Sequence, residues 1–129
     1  MGKLGIFEDE RKRWIQFDED TEVRIRFIGR EELRKLQIKA EKTASLSGGD
    51  ARDILCQHLG KASVLGWRKM DDHNHPGLTV AGEPLEYSPE NVDMLMGKSQ
   101  EFFRFVDTNS INSRIFLDEA MEAEDSKNG

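Results

Sequence analysis

The sequence predicts an α+β domain: an N-terminal antiparallel β-hairpin with a small sheet, packed against several α-helices. Three observations point there. Val23, Ile25 and Phe27 alternate with Arg24 and Arg26, the period of a strand with one buried face. Leu33, Leu36 and Ala40 then recur at i, i+3 and i+7, a helical stripe. Ser88-Pro89-Glu90 reads as a helix start, with a serine N-cap, proline at the first helical position and an acid in the first turn.

The elements follow in chain order. Residues 1–12 read as a flexible lead, residues 13–123 as a single α+β domain and residues 124–129 as a disordered acidic tail. Arg13 to Phe17 is rich in β-formers, Asp18-Glu19-Asp20-Thr21 is a polar turn, and Glu22 to Ile28 returns as the second strand of a hairpin. Arg30 to Lys42 is a helix, with acids at its start and Lys39 and Lys42 at its end, as the helix dipole favours. Ser45 to Asp50 is a loop, and Asp50 caps a second helix from Ala51 to Leu59 that Gly60 stops. Ser63 to Met70 is a third strand, Asp71 to Gly77 a polar turn, and Leu78 to Val80 a segment that pairs back. Ala81 to Pro84 turns again, and Leu85 to Tyr87 is short and extended. Val92, Leu95 and Met96 are the buried stripe of the helix that Ser88 opens. Gln100 to Thr108 forms another helix, Asn109 and Ser110 break it, and Ile111 to Ala123 is the last.

Composition narrows the class. The chain has 129 residues, 36% hydrophobic and 34% charged, with a net charge of −6. It has no apolar run of membrane-spanning length and no signal-peptide core at its start, and its one cysteine, Cys56, has no partner for an internal disulfide. The expectation is a cytoplasmic protein without a membrane segment. Charge is uneven: residues 1–43 carry a net +1 and residues 44–129 a net −7. Nucleic-acid binders usually carry a basic excess. Here Arg24, Arg26, Arg30, Arg34, Lys35 and Lys39 are interleaved with acids, so nucleic acid is not an expected partner.

The chain is poor in catalytic motifs. Gly48-Gly49 lacks the frame and the lysine of a phosphate loop. Cys56 and His58 lie two apart on a helix, so their side chains diverge. Asp71, Asp72, His73 and His75 crowd one turn, and a small metal-dependent enzyme using the His73/His75 loop is one alternative. A third ligand at a recognised spacing is missing, so neither a metal nor a cofactor is expected. Asp18, Glu19 and Asp20 sit in an exposed turn, where carboxyl groups lack the burial that tunes a general acid. Phe102, Phe103, Phe105, Val106, Ile111, Ile115 and Phe116 form an apolar C-terminal stretch. Most of it is core, but Phe102, Phe103 and Phe105 cannot share one helix face, which leaves apolar surface for a partner.

Three stretches, taken in order, resemble the tail assembly chaperones of long-tailed bacteriophages and prophages. The first runs from Trp14 through Val23-Arg24-Ile25-Arg26-Phe27-Ile28-Gly29 into Arg30-Glu31-Glu32-Leu33. The second is Gly66-Trp67-Arg68, an Asp-rich turn and Gly82-Glu83-Pro84-Leu85-Glu86-Tyr87-Ser88-Pro89-Glu90-Asn91. The third is the aromatic helical end from Phe102 into an acidic tail that finishes Lys127-Asn128. The resemblance covers most of residues 13–129 as an ordered pattern. It implies a non-enzymatic protein that binds the tape measure protein during tail morphogenesis in the cytoplasm of the bacterial host, with the tail tube protein as a further candidate partner. The apolar surface of the C-terminal helices makes homo-oligomer formation a further expectation. In many phages ribosomal frameshifting adds a longer version. The family brings no catalytic residues. The partner-binding candidates are Phe102, Phe103, Ile111, Ile115 and Phe116. A regulatory domain with another protein partner is the remaining alternative.

Overall fold

The computed structural model describes residues 11–112. It is α+β, as the sequence predicts. Strands β1 (Lys12–Gln16), β2 (Thr21–Arg26) and β3 (Val64–Lys69) form one antiparallel sheet in the order β1-β2-β3. The hairpin turn is closed by Asp18, whose Oδ1 accepts from the backbone N–H of Asp20 and Thr21 at 2.9 and 2.8 Å. That local bond is why an Asp-rich segment turns here instead of extending a strand. Val23 and Ile25 are fully buried, as their period demands. Phe27 also packs against the core, though less completely. The strand ends at Arg26, Phe27 is half-buried, and Ile28 takes the interior position while its N–H donates to Ser110 O at 2.7 Å.

Helix α1 (Arg30–Ser47) runs five residues past the expected end at Lys42. Residues 43–47 hold neither glycine nor proline, so nothing stops it before Gly48, whose N–H bonds back to Ala44 O. Lys39 and Lys42 therefore fall short of the last turn, which has no basic residue. Helix α2 (Ala51–Ser63) is capped by Asp50, as expected, with the carboxylate accepting from Arg52 N–H at 2.8 Å. It passes through Gly60 without stopping. A Cβ at Gly60 would lie 2.5 Å from Met96 Cγ and 3.1 Å from Val92 Cγ1, so this glycine lets two helix backbones approach. The helix then enters β3 at Val64 with no loop between.

Strands β4 (Thr79–Val80) and β5 (Glu83–Pro84) form a separate ribbon. The segment that pairs back thus pairs with residues the sequence reads as a turn. Helix α3 (Pro89–Lys98) starts where expected, with Ser88 Oγ accepting from Asn91 N–H at 3.0 Å. Helix α4 (Gln100–Ser110) is capped by Ser99 and takes in Asn109 and Ser110, the expected break. Asn109 Nδ2–H donates to Phe105 O at 2.8 Å, and Ser110 is buried, so both residues are absorbed into the helix. Ile111 and Asn112 are not helical; the rest of the helix expected over 111–123 lies outside the described residues, as do nearly all of the lead and the whole tail.

Val23, Ile25, Val64, Trp67, Val92, Met96, Phe102 and Val106 form the core between the inner sheet face, α3 and α4. Helix α2 is central, packing against α1, α3 and α4. Arg26 fastens the hairpin to both α1 and α2. Its Nε donates to Ala62 O at 2.9 Å and its guanidinium pairs with both oxygens of Glu32. This is the bidentate geometry that makes an Arg–carboxylate pair directional.

Candidate functional site

The predicted partner-binding residues separate on folding. Phe102 is 1% exposed. Its ring stands edge-on to Phe17 and Trp67, with centroids 5.8 and 6.0 Å away. It is a core residue and is corrected as a partner contact: the face that α4 buries includes Phe102, Val106 and Ser110, a spacing of four. Phe103 and Phe105 are half-buried against the same core. Ile111, 44% exposed just past the end of α4, is the candidate the fold presents to solvent. Ile115 and Phe116 lie outside the described residues.

The segment from Gly82 to Asn91 forms a locked joint. Trp67 Nε1–H donates to Leu85 O at 2.7 Å, Tyr87 OH donates to Val64 O at 2.9 Å, and Asn91 Nδ2–H donates to Glu86 O at 2.7 Å. Tyr87 also stands edge-on to Trp67 at 5.2 Å. These side chains tie the approach to α3 onto β3.

The histidine turn is held by its own backbone. His75 O accepts from Lys69 N–H at 2.8 Å, and His75 Nδ1 accepts from Gly77 N–H at 2.9 Å. His73 Nε2 lies 3.9 Å from Glu22 Oε1. Among the described residues no group of three His, Cys, Asp or Glu side chains is placed to hold a metal ion. Asp18, Glu19 and Asp20 stay exposed beside an open cleft of about 600 Å³ that Thr21, Lys69, His75, Gly77 and Thr79 also line. Asp18 already uses one oxygen on the turn.

Cys56 and His58 are half-buried on α2. Burial pushes the Cys56 thiol up, and the Asp53 and Asp107 carboxylates add to this, so it is a poor nucleophile. Burial pulls His58 below its ordinary 6.5; the Lys39 and Lys61 ammonium groups lower it further, against an opposing pull from Asp93. Neither His58 Nε2 nor Asp93 Oδ1, both buried, has a hydrogen-bond partner. The unfolded chain therefore binds a proton at His58 before the folded one does. Stability from this group is complete above pH 6.5 and is lost as pH falls through the folded value. Glu32 adds a second loss below 4.5, because the hydrogen bond from Arg26 holds its carboxyl below that ordinary value. Urea midpoints measured from pH 8 down to about pH 2 should fall in two stages. His58→Gln should remove the first stage and leave the second; a profile unchanged by His58→Gln would show that His58 titrates alike in both states.

The sequence reading does not find the outer face of the sheet. Trp14 of β1 pairs with Arg24 of β2, which pairs with Gly66 of β3. The Arg68 guanidinium carbon sits 3.8 Å from the Trp14 ring centroid and that of Arg24 5.9 Å. Period 2 places Arg24 on this face from sequence, but Trp14 and Arg68 join it only through a register that the sequence does not state.

No helix among the described residues is long and apolar enough to cross a membrane. Comparison of the chain with protein-family models, with curated proteins and with solved structures gives no match.

Proposed function

We propose that the protein is a non-enzymatic tail assembly chaperone of a phage or prophage, acting in the bacterial cytoplasm on the tape measure protein. The observation that carries this reading is the stretch Gly82-Glu83-Pro84-Leu85-Glu86-Tyr87-Ser88-Pro89-Glu90-Asn91, the most specific piece of the resemblance. Its side chains have defined work in the joint between β3 and α3. The surface supports the same reading. Ile111 offers an exposed apolar contact at the start of the C-terminal segment, and the high charge density favours solubility in a protein that presents apolar surface.

Co-expression with the tape measure protein of the same phage or prophage genome tests the proposal. The tape measure protein should move from the pellet to the soluble fraction and co-purify with this chain. Ile111→Glu should reduce the co-purified amount several-fold while the thermal midpoint stays within a degree or two of wild type, since an exposed position costs little in folding. A tape measure protein that remains insoluble and unbound beside soluble, folded chain overturns the assignment.

A further inference from the structure

The outer face of the sheet combines an aromatic ring with two guanidinium groups, and the reading above leaves it without a role. Val23 and Ile25 point into the core, so Arg24 points outward between them. It is exposed and has no carboxylate partner among the described residues. Arg68 is tied to Glu22, with side chains 27% and 17% exposed, and is stacked on Trp14. Trp14 reaches across the sheet, with its Cη2 close to the position a Cβ at Gly66 would take. Its indole N–H has no hydrogen-bond partner among the described residues, whereas that of Trp67 is bound to Leu85. The face therefore offers a free guanidinium and an indole N–H beside a guanidinium already oriented by Glu22.

We propose that this face is a docking surface for a carboxylate-rich peptide segment of a partner protein, with Arg24 and the Trp14 indole N–H as its principal contacts. Charge complementarity favours an anion, since Arg24 is exposed on this face without a carboxylate partner among the described residues, a local positive site on a chain that is acidic as a whole. The geometry favours carboxylates over nucleic acid. Arg68 covers one face of the Trp14 ring, which a stacked base would need. A single unpaired arginine also suits a short acidic segment better than a run of phosphates, whose binding draws on many cations. The inference is independent of the chaperone reading, and its test contains no tape measure protein, so the two fail separately.

The test is a titration of the full chain with a hexaglutamate peptide, followed in a 1H–15N NMR spectrum. The Trp14 indole and Arg24 side-chain signals should move saturably. The Trp67 indole signal, assigned with a Trp14→Phe variant, should stay still. Arg24→Gln should weaken the peptide tenfold or more at an unchanged thermal midpoint. Absence of a saturable shift at millimolar peptide overturns the proposal, as does equal affinity in Arg24→Gln. Tighter binding of an oligothymidylate of equal charge identifies a nucleic-acid surface and overturns it too.

Discussion

Phe102→Ala is expected to cost about 3–5 kcal/mol of folding stability, the range for truncating a fully buried phenylalanine. The upper half of that range is the better expectation. The Phe102 ring packs edge-on against both Phe17 and Trp67, and each such contact adds roughly 0.5–1.5 kcal/mol beyond the area it buries. The three rings come from the hairpin end, β3 and α4, so the cavity would open where these elements meet. The surrounding backbone is held by the Trp67–Leu85 hydrogen bond and the Ser99 cap, which limits collapse into the space. Urea denaturation of the variant measures the loss directly. A change below about 1 kcal/mol would place Phe102 outside the core and return it to the surface candidates.

Gly77→Ala should cost about 2–5 kcal/mol, the sum of a conformational and a packing contribution. The residue has φ +81°, where a side chain is strained, and a Cβ there would lie 2.6 Å from Thr21 Oγ1 and 3.1 Å from the Arg68 carbonyl carbon. Thr21 is fully buried and the Arg68 atom is backbone, so neither yields cheaply. Gly82 provides the control. Its φ is +82°, yet nothing lies within 4 Å of its Cβ position. Gly82→Ala should therefore lose only the conformational part, about 1–2 kcal/mol. Equal losses at the two sites would show that the contact with Thr21 adds nothing.

The elements legible in the sequence are those specified by neighbouring residues. Val23 and Ile25 alternate against Arg24, Asp50 and Ser88 cap helices, and the Asp18 turn closes on its own backbone. Each signal spans only a few residues, and each appears in the structure. The errors share another cause. Gly60 reads as a helix stop because a glycine that admits a neighbouring helix and one that ends a helix look alike until Val92 and Met96 are placed against it. Asn109 reads as a break, but Phe105 O supplies a helical partner for its side chain. Among the site candidates, Ile111 and Phe102 are both apolar residues of one C-terminal stretch. Only the positions of Phe17 and Trp67 decide that Phe102 is interior. The Trp14, Arg24 and Arg68 cluster needs the register of two strand pairs, a long-range property with no local signature.

The direct passage from α2 into β3 has a kinetic consequence. Strands β2 and β3 are neighbours in the sheet, yet the whole α1–α2 pair separates them in sequence. Bringing them together from an extended chain carries the loop-closure entropy of that entire insertion. Two consecutive helices that pack on each other form through local contacts and on a faster timescale. Once they have docked, Val64 is already held beside Ile25, and the third strand can zip on from that end. The α1–α2 contact should thus belong to the folding nucleus. The β4–β5 ribbon, whose strands pair with each other apart from the three-stranded sheet, should form after the rate-limiting step, so changes there act on unfolding more than on folding.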